Sequence, residues 1–93
     1  MPIPLHQAKA ELFRTMGHPV RVRVLELLQD RPRTVRELLE EIDVEPSNLS
    51  QQLAVLRRAG LVSSAREGSS VRYALATSDV SDVMTAARRI LTE

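Results

Sequence analysis

Ninety-three residues, 43% of them hydrophobic, suffice for one small domain with a single modest core. A formal net charge of only +1 marks no strongly basic or acidic chain, and the lack of cysteine excludes disulfides, zinc-thiolate sites and direct thiol redox sensing. Phe13 and Tyr73 are the only aromatic residues, too few for a platform on which single-stranded bases stack.

The opening Met1-Pro2-Ile3-Pro4-Leu5 lacks the regions of a secretory signal, and no apolar run reaches membrane-spanning length, so a cytoplasmic protein is expected. Over residues 5–16, Leu5, Ala8, Leu12 and Met16 fall on one helical stripe with Phe13 beside it, and Gly17 ends the segment. Pro19 suits the first turn of a second helix with Val20, Val24, Leu27 and Leu28 on its apolar face, closed by Arg31-Pro32. Thr34-Val35-Arg36-Glu37 has the capping-box pattern and predicts a short third helix with Leu38, Leu39 and Ile42 inward. Asp43, which tolerates left-handed backbone, is placed to end it.

Pro46 opens a fourth helix in which Leu49, Leu53 and Leu56 share one face through about Ala59, and Gly60 stops it. Only Asp43-Val44-Glu45 separates the third and fourth helices, which together read as a helix-turn-helix. Leu61–Ala65 and Val71–Leu75 read as two strands joined through Glu67-Gly68-Ser69-Ser70, a hairpin in the position of a wing. From about residue 79 to 92, Val80, Val83, Met84, Ala87, Ile90 and Leu91 lie on one stripe, with Ser78 as cap and Asp79 and Asp82 at the positive end of the dipole. The expected fold is therefore mainly α with a small β-hairpin: a winged helix-turn-helix of four helices, two strands and a fifth helix, in one domain over residues 1–93. The first and last helices keep apolar faces that the trihelical core does not use. Leu5, Leu12, Phe13, Val83, Met84, Ala87, Ile90 and Leu91 are expected to bury those faces against a second copy.

Between the leucines of the fourth helix stand Ser47, Asn48, Ser50, Gln51 and Gln52, short or amide-bearing, followed by the basic Arg57 and Arg58. Glutamine pairs bidentately with adenine, and serine and asparagine reach bases or phosphates without holding a helix out of the groove. Arg57, Arg66, Ser69 and Arg72 are placed to meet the DNA backbone from the helix end and the wing. The positive excess lies in residues 1–31 and 44–75, and Glu37, Glu40, Glu41 and Asp43 make the stretch between them acidic.

Met16-Gly17-His18-Pro19-Val20-Arg21-Val22-Arg23-Val24-Leu25 and the stretch from Ser47 through Leu56-Arg57-Arg58-Ala59-Gly60-Leu61-Val62, in this order of helices and wing, resemble the arsenic-repressor (ArsR/SmtB) family of bacterial regulators. The resemblance covers nearly the whole chain. It implies a homodimer built from the first and last helices that binds an inverted-repeat operator in double-stranded DNA and represses transcription. It also implies that Ser47, Ser50 and Gln51 take the base-reading positions, with Asn48 and Gln52 beside them.

Many members of that family release DNA when a metal binds to Cys on the third helix or to Asp and His on the last. This chain has no Cys, and its last helix has Asp79 and Asp82 but no His, so no metal and no cofactor are expected. Gly17, Gly60 and Gly68 are isolated and no catalytic grouping of Ser, His and Asp is discernible, so no enzyme is expected. Two alternatives stand beside the repressor: a winged-helix interaction module that has lost DNA, and a metal-responsive repressor using His6 or His18 across a dimer. An inducer, whether small molecule or partner protein, is left open.

Overall fold

The computed structural model describes residues 2–92. Helix α1 (Leu5–Met16) leads into α2 (Pro19–Asp30), then a two-residue strand β1 (Arg33–Thr34), α3 (Val35–Glu41), α4 (Pro46–Arg58), the hairpin strands β2 (Val62–Glu67) and β3 (Ser70–Leu75), and α5 (Ser78–Thr92). The helices and hairpin follow the expected order. The addition is β1, which pairs antiparallel with β3 through Arg33↔Tyr73 and Thr34↔Arg72, giving a three-stranded sheet in the order β1-β3-β2.

Local chemistry sets the boundaries. Pro19 occupies the first turn of α2, and the His18 imidazole Nδ1 accepts from the Val20 N–H at 3.2 Å, so this histidine is a helix cap. The end of α2 is held by Arg33, whose buried guanidinium donates to the Leu27 carbonyl at 3.2 Å and to the Asp30 carboxylate at 3.0 Å. The Leu27 carbonyl also accepts from the Arg31 N–H at 3.4 Å, so Arg33 is a second donor to the last turn of the helix and pairs with one of its acidic residues. Thr34 and Glu37 form the capping box at the start of α3. The helix stops at Glu41, and Ile42 adopts extended backbone as it enters the core. The turn therefore spans 42–45, and no non-glycine residue among those described has positive φ, so Asp43 does not use the left-handed conformation expected of it.

Helix α4 ends in a Schellman motif. Gly60 has φ +78°, its N–H donates to the Arg57 carbonyl, and the Leu61 N–H donates to the Leu56 carbonyl, both at 3.0 Å. Leu61 is buried, which fixes the direction in which the chain enters the wing. The strands run further than the residue pattern implies, to Glu67↔Ser70, leaving Gly68-Ser69 as a two-residue turn with Gly68 at φ +61°. A glycine with positive φ at the first central position suits the right-handed twist of a hairpin. At α5 the cap is Thr77 and not Ser78: the Thr77 hydroxyl accepts from the Asp79 N–H at 3.2 Å.

The core lies where α2, α3 and α4 meet the sheet, with Val24, Leu25, Leu38, Leu49, Leu53 and Leu56 essentially sealed from solvent. Burying such side chains contributes about 1.5–3 kcal/mol each, the main term favouring the fold. Helix α5 adds Val80 and Met84, and Gln29 of α2 ties it down by donating to the Ser81 carbonyl at 3.1 Å and the Thr85 hydroxyl at 2.8 Å. From α1 only Met16 is buried. Among the described residues no helix is long and apolar enough to cross a membrane.

Candidate nucleic-acid interface

Helix α4 divides its residues between two stripes. Leu49, Gln52, Leu53 and Leu56 are buried, at the i, i+3, i+4 and i+7 spacing of a core-facing helix. Ser47, Ser50, Gln51, Arg57 and Arg58 are exposed on the opposite side, with the half-buried Ala54 among them. The exposed stripe is polar at its N-terminal end, basic at its C-terminal end and small in the middle, a surface compatible with close approach to a groove edge.

Gln52 departs from the expectation that it stands among the readers. It is only 9% exposed, and its amide joins two neighbours: Oε1 accepts from Arg21 Nε at 2.7 Å, and Nε2 donates to Asn48 Oδ1 at 2.8 Å. A polar side chain on the buried stripe needs partners, and Arg21, reaching across from α2, supplies one. Asn48 is half-buried as a result. The helical spacing carries this signal, since Gln52 takes the one polar place on the stripe of leucines.

On the wing, Arg66 and Ser69 are exposed beside the turn. Arg57 donates to the Ser64 hydroxyl at 3.2 Å, which links α4 to β2. Arg72 of the wing is paired within the chain: Glu67 accepts from its Nε at 3.0 Å, and its Nη1 lies 3.6 Å from the carboxylate of Glu37 on α3. Two carboxylates already match its charge, whereas Arg66 makes no ion pair among the described residues. Tyr73, not singled out from the sequence, joins Ser50, Ala54, Arg57 and Arg58 around a depression of about 320 Å³ between α4 and β3.

Glu37 is also an electrostatic junction. Its carboxylate accepts from the Thr34 N–H at 2.8 Å and from Arg31 at 3.1 Å. The Thr34 N–H foremost, and then Arg31, lower its pKa from the ordinary 4.5 to about 2.

The apolar residues expected on the outer faces separate into two groups. Leu5, Phe13, Ile90 and Leu91 are exposed, Phe13 at 60% and Leu91 at 84%, while Leu12, Val83 and Ala87 are half-buried. Met84 differs: it is buried in the chain's own core. Between α1 and α5 runs an apolar groove of about 620 Å³, bounded by Phe13, Met16, Val83, Ala87 and Leu91. Among the described residues no three His, Cys, Asp or Glu side chains converge as a metal site.

A model of the family described as bacterial regulatory protein, arsR family, matches residues 18–64, which span the helix-turn-helix and the start of the wing. An uncharacterized HTH-type transcriptional regulator of Mycobacterium tuberculosis, Rv0081, is 49% identical over 89 residues, covering 95% of this chain and 78% of the relative. Its crystal structure matches with a TM-score of 0.89 at 48% identity, over 97% of this chain and 91% of that one. The transcriptional repressor BigR from Xylella fastidiosa matches with a TM-score of 0.88 at 31% identity, over 95% and 90% of the two chains. HlyU from Vibrio cholerae gives a TM-score of 0.88 at 29% identity, over 99% and 100%.

Proposed function

The chain belongs to the arsR family of bacterial regulatory proteins, and from that premise we propose that it is a homodimeric repressor that seats α4 in the major groove of an inverted-repeat operator. It is a winged helix-turn-helix transcription regulator and not an enzyme. The observation that carries the finer reading is the exposed stripe Ser47, Ser50 and Gln51 on α4, continued by Arg57 and Arg58 and flanked by Arg66 and Ser69 of the wing. In this reading Gln51 and the serines meet base edges, and the arginines neutralise phosphates. One domain carries both DNA reading and assembly.

Dimerisation rests on α1 and α5. Phe13, Ile90 and Leu91 leave large apolar side chains 60%, 77% and 84% exposed, and a second copy, related by a two-fold axis, would cover them. A two-fold dimer also explains why the operator should be an inverted repeat, with half-sites about one helical turn apart. Footprinting on the DNA upstream of the chain's own gene tests the proposal. Protection of two symmetric half-sites on one duplex face is the expected result, and a duplex left unprotected at low salt contradicts it.

A further inference from the structure

Three side chains form a directed relay from α2 into the recognition helix. Arg21 donates through Nη1 to the Thr15 carbonyl at 3.1 Å, near the end of α1, and through Nε to Gln52 Oε1 at 2.7 Å. Gln52 Nε2 then donates to Asn48 Oδ1 at 2.8 Å. The direction is dictated by chemistry. A guanidinium has five N–H groups and no acceptor, so the atom it meets on Gln52 must be the carbonyl oxygen. The other end of the Gln52 amide is then its NH₂, and the atom it meets on Asn48 must again be an oxygen. With Oδ1 turned toward Gln52, the trigonal amide directs Nδ2 away from it, and Nδ2 makes no bond to protein among the described residues.

We propose that Arg21, acting through Gln52, fixes Asn48 as a hydrogen-bond donor on the recognition helix, so that this position selects an acceptor on DNA. The proposal rests on the reading of α4 as the DNA-contacting helix. An unconstrained asparagine offers donor and acceptor together and suits adenine bidentately; one whose oxygen is engaged matches a purine N7, guanine O6, thymine O4 or a phosphate oxygen through a single bond, and is mismatched to the cytosine amino group. Asn48 lies in the first turn of α4, where the unpaired backbone N–H groups and the dipole also favour an acceptor. Arg21 and Gln52 are thus positioning residues: neither is on the exposed stripe, yet together they set what the stripe reads. Because Arg21 also holds the Thr15 carbonyl, the relay connects the end of α1 to the chemistry of α4.

The test compares N48A, Q52E and the double variant with the wild type, on duplexes that the wild-type protein selects from a random pool. Glutamate at 52 keeps the acceptor for Arg21 but has no N–H for Asn48. N48A and Q52E should each lose about tenfold in affinity, the scale of one good contact, and the double variant should lose no more than N48A alone. A loss confined to operators with one particular base identifies a base acceptor, and a uniform loss across sequences with an unchanged salt slope identifies a phosphate oxygen, because a neutral amide displaces no counterion. Wild-type affinity in Q52E, or losses that multiply to about a hundredfold in the double variant, would overturn the proposal. Should Q52E fail to fold, exchange of the Gln52 side-chain amide protons in the free wild-type protein decides: slow exchange supports the relay and fast exchange removes it. Failure of the wild type to bind any duplex would defeat the DNA reading itself, and the same exchange measurement would then judge the relay alone.

Discussion

Thr34 and Glu37 satisfy each other across the first turn of α3: the Thr34 hydroxyl accepts from the Glu37 N–H at 3.2 Å, and the Glu37 carboxylate accepts from the Thr34 N–H at 2.8 Å. Arg31 and Arg72 both reach the same carboxylate, so the helix-turn-helix and the wing share one charge. Because folding lowers the Glu37 pKa from 4.5 to about 2, the unfolded chain binds a proton first as the pH falls. The stabilisation is complete above pH 4.5 and is lost between there and about 2. In denaturant titrations, E37Q should be less stable than the wild type at neutral pH, and the difference should shrink toward pH 3. A difference independent of pH would contradict the assignment.

Much of this fold is legible because its punctuation is local. Thr34 with Glu37, Pro19, Pro46 and Gly60 each act within a turn of their own helix, and the apolar period between them does the rest. What is not legible depends on distant partners. Strand β1 is two residues long, has no period of its own and exists because Arg33 and Thr34 pair with Tyr73 and Arg72 far along the chain. Arg72 reads as a free wing cation until Glu37 is brought beside it. Gln52 reads as one of a row of polar residues until Arg21 arrives from α2. Met84 belongs to an apolar stripe wide enough to serve two surfaces, and only the packing of α5 on α2 decides that it faces inward.

The outer faces of α1 and α5 carry the second prediction. Leu91→Asp places a charge in the groove beside Phe13 and Val83, on the face that the proposed dimer would cover. Sedimentation equilibrium should show the wild type as a dimer and this variant as a monomer at micromolar concentration. Helical content by circular dichroism should be retained, since Leu91 is 84% exposed in the single chain. An unchanged dimer would exclude this surface as the interface.

Gln51 and Arg66 should fail in different ways. On the proposed reading, Gln51→Ala would remove a bidentate base contact and should weaken the selected operator by about 1–3 kcal/mol while sparing non-specific DNA. Arg66→Ala would remove a proposed phosphate contact and should weaken all duplexes alike, reducing the salt slope by about 1. The two are separated by measuring affinity on specific and random duplexes at several salt concentrations. Identical behaviour of the two variants would contradict the division between reading helix and wing.

Without cysteine and without a converging set of three His, Cys, Asp or Glu side chains among the described residues, regulation by zinc has no ligand set within one chain. His18 is occupied as the cap of α2. Operator affinity should therefore be the same with added Zn²⁺ and with a chelator. A shift of tenfold or more would reveal a site assembled across two copies.

The central claim is that two copies read one duplex through paired α4 helices, and a stoichiometric titration of a selected operator tests it most directly. Fluorescence anisotropy at protein concentrations well above Kd should saturate at two chains per duplex, and at lower concentrations affinity should fall steeply as salt rises from about 50 to 200 mM. Saturation at one chain per duplex, or no binding at the lowest salt, would contradict it.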